Sequence, residues 1–379
     1  MIYADNAATT RLDNQAYQAM VPFLNDEYGN ASSAYSFSRV PRQALRDARA
    51  AIAECIGAKD EEVFFTSGGT ESNNWALKGV SFARKNEKKR IITSAVEHHA
   101  ILHSCEFLEK IGMEIVYLPV DRTGSVSMDI LKRSISDKTA LVSLILANNE
   151  IGSLQDIAPL ARIAHDYGAL FHTDAVQAVG HIPVNVCNLG VDLLSASAHK
   201  FNGPKGVGFL YIRDGIEIQS YSSGGAQERK LRAGTENIAA IVGMAVALKN
   251  NVSMMDENTS HLEKIASIFL RRLASSGIDY LLNGSSKRLP GHISISIKNE
   301  DGERLLHRLD LKGVCISTGS ACNASENEIS HVIKAVAIPA SYAKGTIRIS
   351  FGKENTEQDA DKIAEAIISV CRGGKHGSN

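Results

Sequence analysis

Lys200 stands in the segment VDLLSASAHKFNGPKGVGFLYIR, behind an apolar run that ends in small hydroxylated residues and just before the Gly203-Pro204-Lys205-Gly206 turn. This context sets it on a constrained turn rather than on a solvated helix face. A lysine so placed can lose its charge by desolvation and act as a Schiff-base nucleophile. Ser197 and His199 flank it as donors for a phosphate, and Lys205 is a weaker competitor for the same role. The segment VFFTSGGTESNNWALKG puts Ser67-Gly68-Gly69-Thr70 between a strand and a helix. Backbone N–H groups at a helix N-terminus, with no side chains blocking approach at the glycines, form an anion site. Tight strand-to-helix turns also use Gly-Gly for geometry alone. Asp174 ends the apolar stretch ALFHTD, and a buried carboxylate needs a partner. In an enzyme using pyridoxal 5'-phosphate (PLP) that partner is the pyridine nitrogen; a structural ion pair or a helix cap is the other reading.

Cys322 lies in STGSACNASENEISHV, a small and polar stretch before a helical pattern. Nothing bulky or apolar surrounds it, so it reads as a thiol on a mobile loop. The other five cysteines, Cys55, Cys105, Cys187, Cys315 and Cys371, sit among apolar residues or near the C-terminal tail and read as packing residues. Cys315, in the strand-like VCIST, is the nearest rival. No C-x-x-C pair and no metal-ligand spacing to histidine occurs, so a disulfide scaffold or zinc site is not expected.

Seven short apolar runs between about residue 60 and residue 212 alternate with amphipathic segments: EEVFFTS, RIITSA, MEIVYLPV, TALVSLILA, ALFHTDA, VDLLSAS and GVGFLYIR. Such alternation predicts crossover connections and a mainly parallel sheet covered by helices on both faces. Between Asp156 and Tyr167 a helix is expected, with Asp156 as cap, Leu160, Ile163, Ala164 and Tyr167 on its apolar face and Gly168 as its stop. After Gly234 the stretch TENIAAIVGMAVALKNNVSMMDENTSHLEKIASIFLRRLASS reads as one long or two successive helices. Beyond it, IDYLLNG, GHISISIKN, VCISTG and GTIRISF alternate with helical segments in a smaller α+β domain. Its last helix opens with Thr356 and Asp359 in capping-box spacing. The expected division is a large domain over 15–255 and a small one over 1–14 and 256–379.

The chain has 379 residues, 44% of them hydrophobic, with 41 basic against 42 acidic side chains and a net charge of −1. That length exceeds one typical domain, and the charge balance gives no global field toward nucleic acid or membrane. The basic run RKNEKKR from Arg84 to Arg90 reads as a solvated loop. The N-terminus MIYADNAATT lacks a targeting pattern, and no stretch approaches the roughly 20 apolar residues of a membrane span. A soluble, reduced, cytoplasmic protein is expected.

Taken together, YADNAATT, TSGGTESNN, VEHHA, NNEIG, HTDAVQ, SASAHKFNGPKG, SGGAQE with RAGTEN, GHISISI, STGSAC and GTIRISFG resemble, in order and over essentially the whole length, the cysteine desulfurases of the NifS/IscS type. These belong to the class V aminotransferase-like PLP enzymes. The resemblance implies PLP-dependent transferase fold type I, PLP as cofactor, L-cysteine as substrate and L-alanine as product. It implies that Gly69, Thr70, Ser197 and His199 bind the PLP phosphate, and that Thr235 reaches the phosphate of the neighbouring subunit, which requires a homodimer. By the same resemblance His98 is a catalytic residue that stacks on the ring and protonates intermediates, the E-H-x-A spacing from Glu97 to Ala100 selecting it over His99. Asn149 and Gln177 hydrogen-bond the ring oxygen and the substrate adduct, Asp174 takes the pyridine nitrogen, and Lys200 holds the cofactor. Arg348 fits the substrate carboxylate, for which a guanidinium offers a planar fork, or else is a surface strand arginine. Cys322 takes the sulfur as a persulfide and passes it to an acceptor such as an iron–sulfur scaffold; a transient iron–sulfur intermediate on Cys322 is compatible with that role. Two departures stand out: Thr318 and Asn323 replace the Ser and Thr of the usual S-S-G-S-A-C-T, and Leu12 stands where relatives often have proline.

Overall fold

The computed structural model describes residues 1–84, 88–318 and 329–373. Cys322 and the middle of the RKNEKKR run lie outside the described residues. Lys88, near the end of that run, is not simply solvated: its ammonium donates to the carbonyls of Tyr167 and Gly168 at 3.2 and 2.6 Å.

The described residues form twelve strands. They are β1 (Ile2–Tyr3), β2 (Val63–Thr66), β3 (Arg90–Ser94), β4 (Glu114–Leu118), β5 (Thr139–Ile145), β6 (Leu170–Asp174), β7 (Leu193–Ser197), β8 (Gly208–Ile212), β9 (Tyr280–Leu282), β10 (His292–Ile297), β11 (Val314–Cys315) and β12 (Thr346–Ser350). The seven apolar runs become β2 to β8, joined in one sheet in the order β2-β8-β7-β6-β5-β3-β4. Only the pairings of β8 with β2 and β7 are antiparallel. Alternate residues along a strand point to opposite faces, and here both faces are covered. Phe65, Leu194 and Phe209 join a core with the helices Arg39–Ile56, Ile157–Asp166 and Ile238–Ser253. Their neighbours Phe64, Leu193 and Leu210 join another with the helices Gly69–Arg84 and His99–Lys110. Burial on both sides is why the inner strands read as largely apolar runs, while the edge strand β4 is partly exposed.

A separate core lies around Phe269, Ile295, Ile347 and Ile363, formed by the antiparallel sheet β12-β10-β9, the parallel pair β1-β11 and the helices Met255–Ala274, Gly302–Asp310 and Glu357–Gly373. The strandless stretch after Gly234 is two helices, Ile238–Ser253 and Met255–Ala274, meeting at a 70° bend. No single described helix is long and apolar enough to cross a membrane.

Helix signals fared unevenly. Thr356 and Asp359 close a reciprocal capping box at 2.9 and 3.2 Å. Asp156, by contrast, precedes its helix without a side-chain capping bond; its backbone at φ −86° and ψ 82° lies outside the extended conformation typical of an N-cap. Tyr167, expected on that helix's buried face, is 42% exposed because it lies beyond Asp166, where the chain turns at Gly168 with φ +66°. Cys187, read as a packing residue, is exposed on the four-residue helix Val186–Leu189.

Candidate active site

The carboxyl ends of β5, β6 and β7 come side by side, which in an open α/β sheet is where ligands bind. Ile145, Asp174 and Ser195 share a register across these strands. A cavity of about 480 Å³ opens over them. Gly69, Thr70, His98, Asn149, Asp174, Gln177, Ser197, His199, Lys200 and Arg348 all line it. Residues as far apart in sequence as Ala7 and Arg348 thus converge on one space. Thr235 is exposed and is not among that lining.

At one end of the cavity the helix Gly69–Arg84 begins directly after β2 and the Ser67–Gly68 link. The first N–H groups of a helix have no intrahelical acceptor, so this end offers donors and a positive partial charge. Glycine allows close approach here. A Cβ on Gly69 would lie 2.5 Å from Val176 Cγ2, and Gly68 adopts φ +146° facing Ser197 Oγ.

Asp174 is 3% exposed at the end of β6. Asn73 Nδ2 donates to its Oδ2 at 2.6 Å, and the Val176 N–H to its Oδ1 at 3.0 Å. Asn73 Oδ1 is buried without a hydrogen-bond partner. His98 caps the helix His99–Lys110: its Nδ1 accepts from the Ala100 N–H at 3.1 Å, which leaves the ring proton on Nε2. Burial lowers its pKa, opposed by the nearby Asp174 carboxylate, so the ring is neutral at physiological pH.

Lys200 ends a 3₁₀ turn after β7, and its Nζ donates to the carbonyls of Ala7 and Ala8 at 2.6 and 2.7 Å. Gln177 Nε2 donates to the same Ala7 carbonyl at 2.9 Å. His199 Nδ1 meets Thr9 Oγ1 at 3.2 Å, and burial, with Lys200 and Lys205 nearby, pushes its pKa down to about 4. Arg348 on β12 is only 4% exposed, which removes the reading of a surface strand arginine. Its Nη1 donates to the Asn149 carbonyl at 2.8 Å and its Nη2 to Asp5 Oδ1 at 2.6 Å. Asn149 itself is presented by a turn that Asn148 braces, its Oδ1 accepting from the N–H groups of Glu150 and Ile151.

Two buried acids stand behind this front. Burial pushes Glu97, next to His98, up to about 8, and Glu150, next to Asn149, up to about 7. Sequence reasoning gave no role to Asn73, Ala7, Ala8, Asp5 or Glu150. All lie inside the quoted stretches YADNAATT, TSGGTESNN and NNEIG, which was the available signal.

The residues present fit PLP. A glycine-floored helix terminus suits a dianionic phosphate, a buried carboxylate suits a protonated ring nitrogen, and the orphaned Asn73 oxygen points to a polar occupant nearby.

Comparison with known proteins gives the same direction. The profile of the "Aminotransferase class-V" family matches residues 2–363. A protein of Dictyoglomus turgidum named "Cysteine desulfurase IscS" is 51% identical over 375 residues, covering 98% of this chain and 95% of its own. A solved "NIFS-LIKE PROTEIN" superposes with a TM-score of 0.93 at 37% identity, covering 98% of this chain and 99% of its own. The solved structure titled "SspA in complex with cysteine" superposes with a TM-score of 0.83 at 33% identity, covering 94% and 100%. With fold, cavity and near full-length likeness in agreement, the chain belongs to the class-V aminotransferase family and, within it, to the cysteine desulfurases of the NifS/IscS type.

Proposed function

We propose that the protein is a PLP-dependent cysteine desulfurase that releases L-alanine from L-cysteine and keeps the sulfur as a persulfide on Cys322. The observation that carries this reading is the single cavity in which Lys200, Asp174, the Gly69–Thr70 helix terminus and Arg348 meet.

PLP, when bound, links covalently to an amine and withdraws electrons from the adjoining carbon. Gly69 and Thr70, with Ser197 and His199, would hold its phosphate. Asp174 would hold a proton at the ring nitrogen, and His98 would face the ring with a neutral imidazole. Asn149 and Gln177 are the hydrogen-bonding groups for the ring oxygen and the substrate. Arg348 orients the substrate carboxylate. Lys200 would hold the cofactor and, as a free amine, would be the base that moves a proton at Cα.

Sulfur transfer balances without an added oxidant. The Cys322 thiolate forms an S–S bond to the substrate sulfur while the Cβ–S bond breaks. The electron pair of the broken bond stays with Cβ, which gains a proton and becomes the methyl group of alanine.

The same proposal includes a homodimer and a sulfur acceptor such as an iron–sulfur scaffold, in the reducing setting of the cytoplasm. Thr235 is exposed and outside this chain's own cavity, as a residue serving a neighbour's phosphate site must be. A fully active monomer in sedimentation would overturn that part. The proposed domain division remains 15–255 against 1–14 with 256–379, supported by the separate core around Phe269 and Ile347, to which Ala4 also contributes.

The test is direct: holoenzyme given L-cysteine should form alanine and a protein persulfide in equal amounts before any acceptor is added. Pyruvate or a keto acid without persulfide would show a different PLP reaction.

A further inference from the structure

Arg348 carries a permanent charge at 4% exposure, and a buried guanidinium needs a counter-charge. Asp5 supplies it, at 2.6 Å from Nη2. The path by which Asp5 arrives is informative. The Asn6 N–H donates to the Ser350 carbonyl, the Ser350 N–H to the Ala4 carbonyl and the Ala7 N–H to Ser350 Oγ, so Asp5 forms a parallel bridge to Ser350 at the end of β12 before the chain turns. The next two carbonyls in this stretch, Ala7 and Ala8, receive the Lys200 ammonium. One five-residue segment therefore touches both basic groups, with Asp5 on Arg348 and Ala7–Ala8 on Lys200.

We propose that Asp5 is a positioning residue for substrate recognition: it pins the Arg348 fork against the Asn149 carbonyl, so that the remaining N–H groups of the fork meet an α-carboxylate at a fixed distance from Lys200. The inference rests on the desulfurase reading for its substrate and adds to it the element that sets the carboxylate register. Two of the five guanidinium N–H groups are committed, one to Asp5 and one to Asn149, and Nε is buried without a hydrogen-bond partner. A guanidinium held on two sides loses little freedom when a carboxylate docks, which is the energetic benefit of preorganisation. The neighbouring Glu150 is the other acidic group facing Arg348; its Oε2 is already engaged by Ser330 Oγ at 2.5 Å, so Asp5 is the acid in contact with the fork.

The experiment compares Asp5→Ala and Asp5→Asn in a Cys322→Ser background, which blocks sulfur transfer. Binding to holoenzyme is measured by calorimetry for L-cysteine and for cysteamine, the same thiol and amine without the carboxylate. Losing a charge-assisted positioning contact corresponds to about tenfold or more in affinity. Asp5→Ala should therefore weaken L-cysteine at least tenfold and leave cysteamine within about twofold. Asparagine keeps an acceptor for Nη2, so Asp5→Asn should restore most of the affinity for L-cysteine. Near-UV circular dichroism of the Asp5→Asn protein checks that a folded comparison exists even if alanine destabilises the chain. Unchanged affinity for L-cysteine in Asp5→Ala, or equal losses for both ligands, would overturn the proposal. Absence of L-cysteine binding in the parent Cys322→Ser protein would instead strike the desulfurase reading, and the substrate assigned here with it.

Discussion

Gly69→Ala is the most exacting perturbation of the site, because its cost can be worked out before the experiment. The backbone at Gly69 does not occupy the left-handed region, so alanine is allowed there as a conformation. The obstacle is space: the new Cβ would lie 2.5 Å from Val176 Cγ2, where ordinary contacts fall at 3.4–4 Å. Val176 must retreat by about 1 Å, and overpacking of this kind costs about 1–3 kcal/mol. A gain of at most about 1 kcal/mol in helix propensity offsets part of that. With an unfolding entropy of about 2.1 cal/mol/K per residue over the chain, each lost kcal/mol lowers the apparent Tm by about 1 °C. Cofactor binding should suffer more. The Val176 N–H holds Asp174 Oδ1, and the helix terminus beside it is the proposed phosphate site, so a shift there disturbs two contacts at once. Each 1.4 kcal/mol lost from these contacts is a tenfold loss of PLP affinity, read from absorbance titration of the cofactor-free protein. Val176→Ala in the same chain removes the clashing methyl and should restore most of the affinity. If Gly69→Ala bound PLP like the parent, or if the double variant bound no better than Gly69→Ala, the steric account of this turn would be wrong.

Lys200→Ala should eliminate PLP that borohydride fixes to protein while sparing the phosphate contacts; peptide mapping that found reduced cofactor on Lys205 would reassign the anchor. Cys322→Ser should stay yellow, respond spectrally to L-cysteine and release almost no alanine, whereas Cys315→Ser keeps most activity; the reverse pattern would mean that the thiol was misassigned. Glu97→Gln tests the buried acid behind His98, whose Oε1 accepts from Ser94 Oγ at 2.5 Å and from the Ile145 N–H at 3.0 Å. With its native pKa near 8 against about 4.5 unfolded, the folded protein holds a proton that the unfolded chain has lost across that window. The stabilisation is complete below pH 4.5 and falls by about 1.4 kcal/mol for each pH unit up to 8. The stability of Glu97→Gln relative to the parent should therefore rise between pH 5 and pH 8, and a flat difference in denaturant midpoints would refute the assignment.

Much of this molecule is written locally. Most strands of the large sheet announce themselves because burial on both faces leaves few exposed polar positions to blur the run; the edge strand β4 is partly exposed and still reads as apolar at Ile115, Val116 and Leu118. The closing helix is equally plain, since Thr356 and Asp359 find each other three residues apart. Lys200, Asp174 and the Gly68–Gly69 turn are legible as candidates within their own segments, although Gly-Gly also serves turn geometry and a buried aspartate also serves an ion pair or a cap; their convergence on one cavity is what joins them. What local sequence leaves open is partnership. Asp156 has the composition of a cap and does not cap, and Cys187 has the neighbours of a packing residue and is exposed, because both outcomes depend on what the rest of the fold brings alongside. Asn73 on Asp174, Ala7 and Ala8 on Lys200, and Asp5 on Arg348 are contacts across 101 to 343 positions of chain. Side-chain chemistry names what each group can bind, but only the bridge between Asp5 and Ser350 at the end of β12 decides that the buried charge of Arg348 is met by Asp5. Hydrogen bonds and ion pairs act over about 3 Å, so the choice of partner belongs to the tertiary structure that creates such distances.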